Sequence, residues 1–392
     1  MSKFQLKWGI LATGGIAESF GRDLSVNPET RERNDIEHVV VAAASSTSAD
    51  RAQAYLKEVN APDSAKAYGS YKELVSDSNV DIIYVATPHS HHYQNVMLAL
   101  EAGKNVLCEK ALTVNAAQTE ALIKKAREKD LFFMEAVWTR YFPISIYARE
   151  TASSGTLGTV ERTFADLAMS MPPETSFDPK NRMVNPDLAG GALLDLGIYA
   201  LTWVFQSLYT VQKDPKPPTV VSAMRKWESG VDQQTSMLLT FPRDKEGDAH
   251  GIATTGMRCA TDPDSNGHAP AVRIQGNKGE LMVFHPAFRP TRTKLVLKDG
   301  TVEEKNWPQP GPGKGSGFRN GFGGNFHPEG EGMGMFWEAD ECAYALKEGR
   351  KEGKFESLNE SLVIMKVMDE VRRQNGMKLP DKIETTDYPV DL

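Results

Sequence analysis

The sequence predicts two folds in series: an α/β Rossmann domain, then an α+β domain with an open, mostly antiparallel sheet. Three observations predict it. Up to about Phe142, short apolar runs alternate with helical patterns over brief connections, as parallel βαβ units require. The first run leads into a glycine-bearing turn, Ala12-Thr13-Gly14-Gly15-Ile16-Ala17. Beyond Tyr141 the texture changes to long strand-like runs separated by turn residues.

Size and composition fit this division. At 392 residues the chain has room for about two or three domains. A net charge of -7 argues against nucleic acid or an anionic membrane as the main partner. The three cysteines, Cys108, Cys259 and Cys342, are too few and too scattered for a disulfide framework or a zinc site. With no signal-peptide pattern and no transmembrane run, a reducing, cytoplasmic setting is the expectation. The expected boundaries are 1–142 for the dinucleotide-binding domain, 143–334 for the sheet domain and 335–392 for helices packing back on the molecule.

The elements follow in order. Leu6 to Leu11 is the first strand. The turn after it reads A-x-G-x-x-A against the dinucleotide fingerprint G-x-G-x-x-G/A. Gly14 stands where the backbone approaches a pyrophosphate, and Ala12 replaces the first glycine. The second strand, His38 to Ala44, ends in Ser45-Ser46-Thr47, with Arg51 one turn into the next helix. An NAD site commonly places an acid near here. Hydroxyls and an arginine suit a 2′-phosphate instead, so NADP is favoured, although the serines also fit a plain helix cap.

A short strand near Lys66 to Tyr68 precedes the helix Ser70 to Ser76. Asp81 to Ala86 is apolar enough to be buried on both faces, and Thr87-Pro88-His89-Ser90-His91-His92 follows it. A helix from Ser90 to Ala102 stops at Gly103. The strand Asn105 to Cys108 delivers Glu109 and Lys110 to the carboxyl edge of the sheet, where open parallel sheets bind ligands. A simple Glu109–Lys110 strand cap is the alternative. The helix Asn115 to Lys129 and the strand Leu131 to Ala136 close this half. In the second half, a helix from Ile144 to Ser153 comes first. Strands are expected at Thr159 to Met169, Val220 to Trp227, Thr235 to Phe241, His250 to Cys259, Val272 to Gln275, Glu280 to Phe284 and Lys294 to Leu297. One helix, Ala189 to Leu208, interrupts them. Gly311 to Gly334, with Phe318, Phe322 and Phe326, reads as a mobile loop. Helices from Met335 to Lys347 and from Ser357 to Gln374 end the chain.

Three constellations carry chemistry. Asp195 and Tyr199 are i and i+4 on the expected helix and share a face. A lysine beside such a tyrosine would lower its pKa and make it a general acid/base; a buried Tyr–Asp hydrogen bond is the bland alternative. Of the three histidines, His89 is best placed at the strand end, and no set of metal ligands forms around them. Trp138 and Arg140 suit a polyol or ring, or else an interdomain hinge.

With these residues in hand, the chain resembles the family of glucose–fructose oxidoreductase and inositol dehydrogenase. The resemblance rests on the AxGxxA turn, Ala86-Thr87-Pro88-His89, Cys108-Glu109-Lys110 and Gly191 to Tyr199. Met134 to Pro143 is similar to the branch of dimeric dihydrodiol dehydrogenases and NADP-dependent D-xylose 1-dehydrogenases. The resemblance implies a catalytic Lys110, an acid/base Tyr199 with Asp195 beside it, and a homodimer through the C-terminal sheet. The family's Glu-Lys-Pro stands here as Glu109-Lys110-Ala111, a turn expected to be looser. The implied cofactor set is Thr13, Gly14, Gly15, Ile16, Ser45, Ser46, Thr47, Arg51, Thr87, Pro88, His89, Glu109, Lys110, Trp138 and Arg140. His89, Lys110, Trp138, Asp195 and Tyr199 form the substrate side, and no metal is implied. The implied activity is oxidation of an aldopyranose, with D-xylose first, at C1 to the aldonolactone. The rivals are oxidation of trans-dihydrodiols and a non-enzymatic NADP-binding regulatory module.

Overall fold

The computed structural model describes residues 3–321 and 328–392. Phe322 and Phe326, two aromatics of the expected loop, lie outside the described residues. The chain forms two compact units. The first comprises Met1–Tyr141, Gln309–Leu362 and Glu384–Leu392; the second comprises Phe142–Pro308 and Val363–Ile383. The glycine-rich stretch and the first part of the C-terminal region therefore belong with the first unit, and a piece of the last long helix belongs with the second.

The first unit begins with strictly alternating elements. These are β1 (Phe4–Leu11), α1 (Gly15–Leu24), β2 (Ile36–Ala44), α2 (Ala49–Glu58), β3 (Lys66–Tyr68), α3 (Tyr71–Ser76), β4 (Ile82–Val85), α4 (His89–Glu101), β5 (Asn105–Glu109), α5 (Ala116–Glu128) and β6 (Phe133–Ala136). The six strands form one sheet in the order β3-β2-β1-β4-β5-β6, and every pairing is parallel. All four residues of β4 are buried, as its continuous apolar run requires. Each fully buried Ile or Val there contributes about 1.5–3 kcal/mol. Ser48, Ser70 and Asn115 cap α2, α3 and α5 by accepting a backbone N–H three residues on. The strand order reverses between β1 and β4, so the turns after β1, β2, β4 and β5 share one edge.

The second unit opens with α6 (Pro143–Ser153), β7 (Val160–Ala168) and the short α7 (Pro173–Ser176). It continues through α8 (Ile198–Leu208) to β8 (Thr219–Lys226), β9 (Asp232–Phe241), β10 (Ala249–Gly256), β11 (Pro270–Gly276), β12 (Gly279–Phe284), β13 (Arg292–Leu297) and β14 (Val302–Asn306). The eight strands run β14-β13-β12-β11-β7-β10-β9-β8, antiparallel throughout except for the parallel pair β7–β10. The edge strand β14 was not legible, because Val-Glu-Glu-Lys-Asn carries a single apolar residue. α8 packs on β7 and β10. Val221 on β8 and Leu238 on β9 are register partners, 69% and 47% exposed.

The expected helix Ala189 to Leu208 is not one regular helix. A 3-10 turn covers Pro186–Leu188, a π-helix covers Leu193–Gly197, and α8 follows. By length and composition, Pro186–Leu208 also passes for a membrane span, against the expectation of no transmembrane run. Its most apolar window is 94% buried within the fold, as for a core helix.

The last elements are α9 (Phe336–Glu348), α10 (Leu358–Gln374) and α11 (Asp381–Glu384). Where it is described, the glycine-rich stretch is tied down rather than loose. Buried Asp23 of α1 accepts from Asn320 Nδ2 (2.7 Å) and from the backbone N–H groups of Met333 (2.9 Å), Gly334 (2.8 Å) and Met335 (2.7 Å). Asp340 of α9 takes two bonds from Arg31 (2.8 and 2.9 Å) and faces His38 Nε2 at 2.9 Å. Near the C-terminus, the carbonyls of Glu384 and Thr385 accept from Asn115 and Gln118.

Candidate active site

The turn after β1 is shaped for a dinucleotide phosphate. Ala12 adopts φ 79, the left-handed conformation the fingerprint's first glycine would supply without strain. Gly14 stands at the N-cap of α1 with no side-chain cap bond, so the first N–H groups of the helix have no side-chain cap. A Cβ at Gly14 or Gly15 would meet nothing within 4 Å, so the backbone of Thr13 to Ile16 is open to an incoming anion. At the end of β2, Ser45 Oγ lies 3.0 Å from Thr47 Oγ1, and Arg51 Nη1 donates to Thr47 Oγ1 at 3.5 Å. Ser46, Thr47 and Arg51 are exposed. Hydroxyls and a guanidinium at this point fit a 2′-phosphate, and a dinucleotide bound to both turns would be held by backbone N–H groups and this cluster.

The turn after β4 and the strand β5 meet at Lys110. His89 Nε2 lies 3.2 Å from the Lys110 carbonyl oxygen. His92 faces the carbonyls of Ala111 (2.9 Å) and Thr87 (2.8 Å), and burial lowers its pKa to about 4, so the ring stays neutral. Thr87 is further held by Asn95 Nδ2 at 3.2 Å, and Pro88 is the N-cap residue of α4. Ala111, after the lysine, is fully buried. The turn expected to loosen without proline is therefore enclosed by its neighbours. Glu109 is buried; its Oε1 accepts a short bond from Tyr84 OH, and its Oε2 accepts from the Lys110 N–H at 3.2 Å. Tyr84 stacks on Phe20 with ring centroids 3.8 Å apart. Thus β4, β5 and α1 together fix the peptide that carries the lysine.

Two residues grouped with the ligand set are enclosed instead. Arg140 is fully buried, ion-paired with Glu360 at 2.5 Å and donating to the Phe355 carbonyl at 3.0 Å. That commits its guanidinium to the fold, because a buried cation without its partner would be far too costly. Trp138 is 2% exposed. Among the described residues, no three His, Cys, Asp or Glu are grouped to hold a metal.

In the second unit, Asp195 sits in the π-helix and Tyr199 in the first turn of α8. The i, i+4 relation expected of an α-helix is thereby altered, because a π turn holds more residues per turn. Both side chains are largely buried, and the Tyr199 ring lies 6.0 Å from that of Phe288. Asp195 accepts from Arg182 Nη1 at 2.9 Å and Nη2 at 3.4 Å. Such a two-point pair is the geometry in which a guanidinium holds a carboxylate. Arg182 and Tyr84 were missed by sequence reasoning. Arg182 carries no local signal, whereas the lone hydroxyl in the apolar run Ile82–Val85 was a sign that Tyr84 has a buried partner.

Comparison with known proteins agrees with this architecture. Residues 6–137 match the oxidoreductase family model with an NAD-binding Rossmann fold, and residues 146–282 match the GFO/IDH/MocA C-terminal domain. A D-xylose 1-dehydrogenase (NADP+) from Hypocrea jecorina is 51% identical over 98% of this chain and 96% of its own. A trans-1,2-dihydrobenzene-1,2-diol dehydrogenase from Sus scrofa is 36% identical over 96% of this chain and 98% of its own. Among solved structures, an aldose–aldose oxidoreductase from Caulobacter crescentus superposes with a TM-score of 0.71 at 21% identity. The match covers 94% of this chain and 97% of that one, and it supports the fold alone. A Rossmann sheet with its phosphate turn, the lysine at its carboxyl edge and a matched C-terminal sheet domain make this chain an oxidoreductase of the GFO/IDH/MocA family.

Proposed function

We propose that this chain is an NADP-dependent sugar dehydrogenase that oxidises an aldopyranose, D-xylose first, at C1 to the aldonolactone. The observation that carries the reading is 51% identity, along nearly the whole of both chains, to a D-xylose 1-dehydrogenase (NADP+). The Ser45, Thr47 and Arg51 cluster supports NADP over NAD.

The reaction removes the anomeric hydroxyl proton and the C1 hydrogen with its electron pair, leaving a lactone carbonyl. The dinucleotide, when bound, supplies the hydride acceptor. Tyr199 is the acid/base phenol that receives the hydroxyl proton. Lys110, at the carboxyl edge of the first unit's sheet, is the catalytic cation of this reading. Asp195, which accepts from Arg182 at 2.9 Å, orients the sugar hydroxyls.

The test is an NADP+ reduction assay across aldoses and diols. D-xylose is expected to exceed a cyclohexadiene diol in kcat/KM by at least about tenfold, a difference of about 1.4 kcal/mol in transition-state binding. The reverse order would favour the dihydrodiol reading, which relatives at about 36% identity support. NADPH binding without sugar-dependent reduction would favour a sensing module. Lys110→Ala is expected to abolish turnover while NADPH still binds, and retained turnover would remove Lys110 from catalysis.

The same reading includes a homodimer through the exposed face of the second unit's sheet, where Val221 and Leu238 leave apolar surface in water. Light scattering of the wild type and of Leu238→Lys tests it. It also includes a cytoplasmic location, to which the free thiols of Cys108, Cys259 and Cys342 lend support.

A further inference from the structure

The geometry points to Asp232, at the start of β9, as a positioning residue that sets the π-helix presenting Asp195 and leading into Tyr199. This rests on the proposed roles of those two residues. Asp232 is 1% exposed. Its Oδ2 accepts from the Leu193 N–H at 2.8 Å, the first residue of the π-helix, and from Thr235 Oγ1 at 3.0 Å. The helix start has no cap from its own neighbourhood, since Ala192 offers no side-chain acceptor. A carboxylate brought from another strand does that work.

The other oxygen points the same way. Among the described residues, Oδ1 has no hydrogen-bond partner, although it is buried. It lies against Gly191, where an added Cβ would come within 2.2 Å of it. Gly191 also sits at φ 120, outside the range L side chains favour. Its N–H donates to the Met183 carbonyl at 2.9 Å, so the loop carrying Arg182 closes onto the same point. On the far side, Gly197 leaves room for Thr255 Cγ2 of β10, 3.2 Å from where a Cβ would stand. The π turn is thus bracketed by Asp232 at its start and by Thr255 at its end, with Arg182 on Asp195 between them. Burial raises the Asp232 carboxyl to about 6, and the two donors and Arg372 pull it back. A group held at that disadvantage is retained for its place.

The experiment compares Asp232→Ala, Asp232→Asn and Gly191→Ala in the full chain. Hydrogen exchange is followed in the peptide covering 189–199, and D-xylose kinetics and NADPH binding are measured alongside. With Ala, exchange across Leu193–Gly197 speeds up and kcat falls by up to about 100-fold, the usual result of displacing a reacting group by about 1 Å. NADPH affinity stays within about twofold, because the phosphate turns belong to the other unit. Asn keeps an oxygen for Leu193 and recovers at least about tenfold of the loss, which a general loss of packing would not allow. Gly191→Ala crowds the same carboxylate and follows Asp232→Ala, so the test survives if Asp232→Ala does not fold. Wild-type exchange and kcat in Asp232→Ala or Gly191→Ala, or no recovery with Asn, would overturn the inference. A wild type that oxidises no sugar would instead sink the functional reading, and the exchange measurement would still decide the cap.

Discussion

Glu135→Gln tests the electrostatics of the buried carboxyl that holds the backbone just past Lys110. Glu135 lies in β6 and is 2% exposed. Its Oε1 accepts from the Leu112 N–H at 2.9 Å, two residues past the lysine. Burial raises its carboxyl from 4.5 to about 7. Bonds from Ser361 and Leu112 act against that rise, the Glu360 charge adds to it, and Arg140 opposes it. The folded chain therefore holds a proton that the unfolded chain has released anywhere between about pH 4.5 and about pH 7. The unfolded state binds fewer protons there, so stability falls as pH rises through that window and levels off above it. A carboxyl raised from 4.5 to about 7, at about 1.4 kcal/mol per tenfold in the proton equilibrium, amounts to roughly 3 to 4 kcal/mol. Glutamine keeps an acceptor for Leu112 and does not titrate, so the variant lacks this slope.

The assay is urea denaturation of wild type and variant at about pH 5 and about pH 8. The wild type is expected to lose about 2–3 kcal/mol more than the variant between those conditions. Other titrating groups are common to both proteins and cancel in the double difference. Parallel pH dependences would refute the reasoning, since they would mean that Glu135 stays ionised in the fold and gains enough from Leu112, Ser361 and Arg140 to do so.

Other expectations concern the two phosphate turns and the C-terminal stretch. Ala12→Gly removes a left-handed alanine, which costs about 1–2 kcal/mol, and gives back about 0.5–1 kcal/mol to the unfolded chain, so a small rise in melting temperature is expected and a fall would argue against the assigned φ. Arg51→Ala is expected to raise the KM for NADP by about tenfold and leave that for NAD unchanged; equal effects on both would detach Arg51 from the 2′-phosphate. Asp23→Ala deletes the acceptor for Asn320, Met333, Gly334 and Met335, so a loss of about 3 kcal/mol or more is expected in denaturation, together with faster exchange of the 328–335 amides; a change below about 1 kcal/mol would show that the stretch is held by other contacts.

What was legible in the sequence was whatever is encoded locally. Ile82–Val85 reads as a doubly buried strand because four consecutive apolar residues have no other use, and Asn105–Glu109 reads likewise, with Lys110 at its end. The caps at Ser48, Ser70 and Asn115 likewise act within three residues of their own helix starts. The departures all come from partners far along the chain. The π-helix at Leu193–Gly197 depends on Asp232, 39 residues on. The glycine-rich stretch joins the first unit because Asp23, about 300 residues earlier, collects its N–H groups. Arg140 looked like a ligand-binding cation because Glu360, 220 residues away, is invisible to local pattern.

The same division runs through the candidate site. Lys110, Asp195 and Tyr199 lie in short motifs and were found as residue types. Their surroundings are set elsewhere: Tyr84 bonds Glu109 beside the lysine, Arg182 holds Asp195, and Asp232 caps the turn between Arg182 and Tyr199. Replacing a partner of this kind leaves every motif intact and still changes the chemistry. Two chains could therefore share all the motif residues and differ in activity, if one lacked the arginine or the distant aspartate. Arg182→Ala puts this to the test. Asp195 would then lose both bonds from the guanidinium, which favour a carboxylate over the protonated acid. The acid limb of the kcat/KM profile for sugar should move to higher pH, while NADPH binding, which depends on the other unit, should not. An unmoved acid limb would mean that Asp195 takes no charged part in the reaction, and that its pairing with Arg182 serves the fold alone.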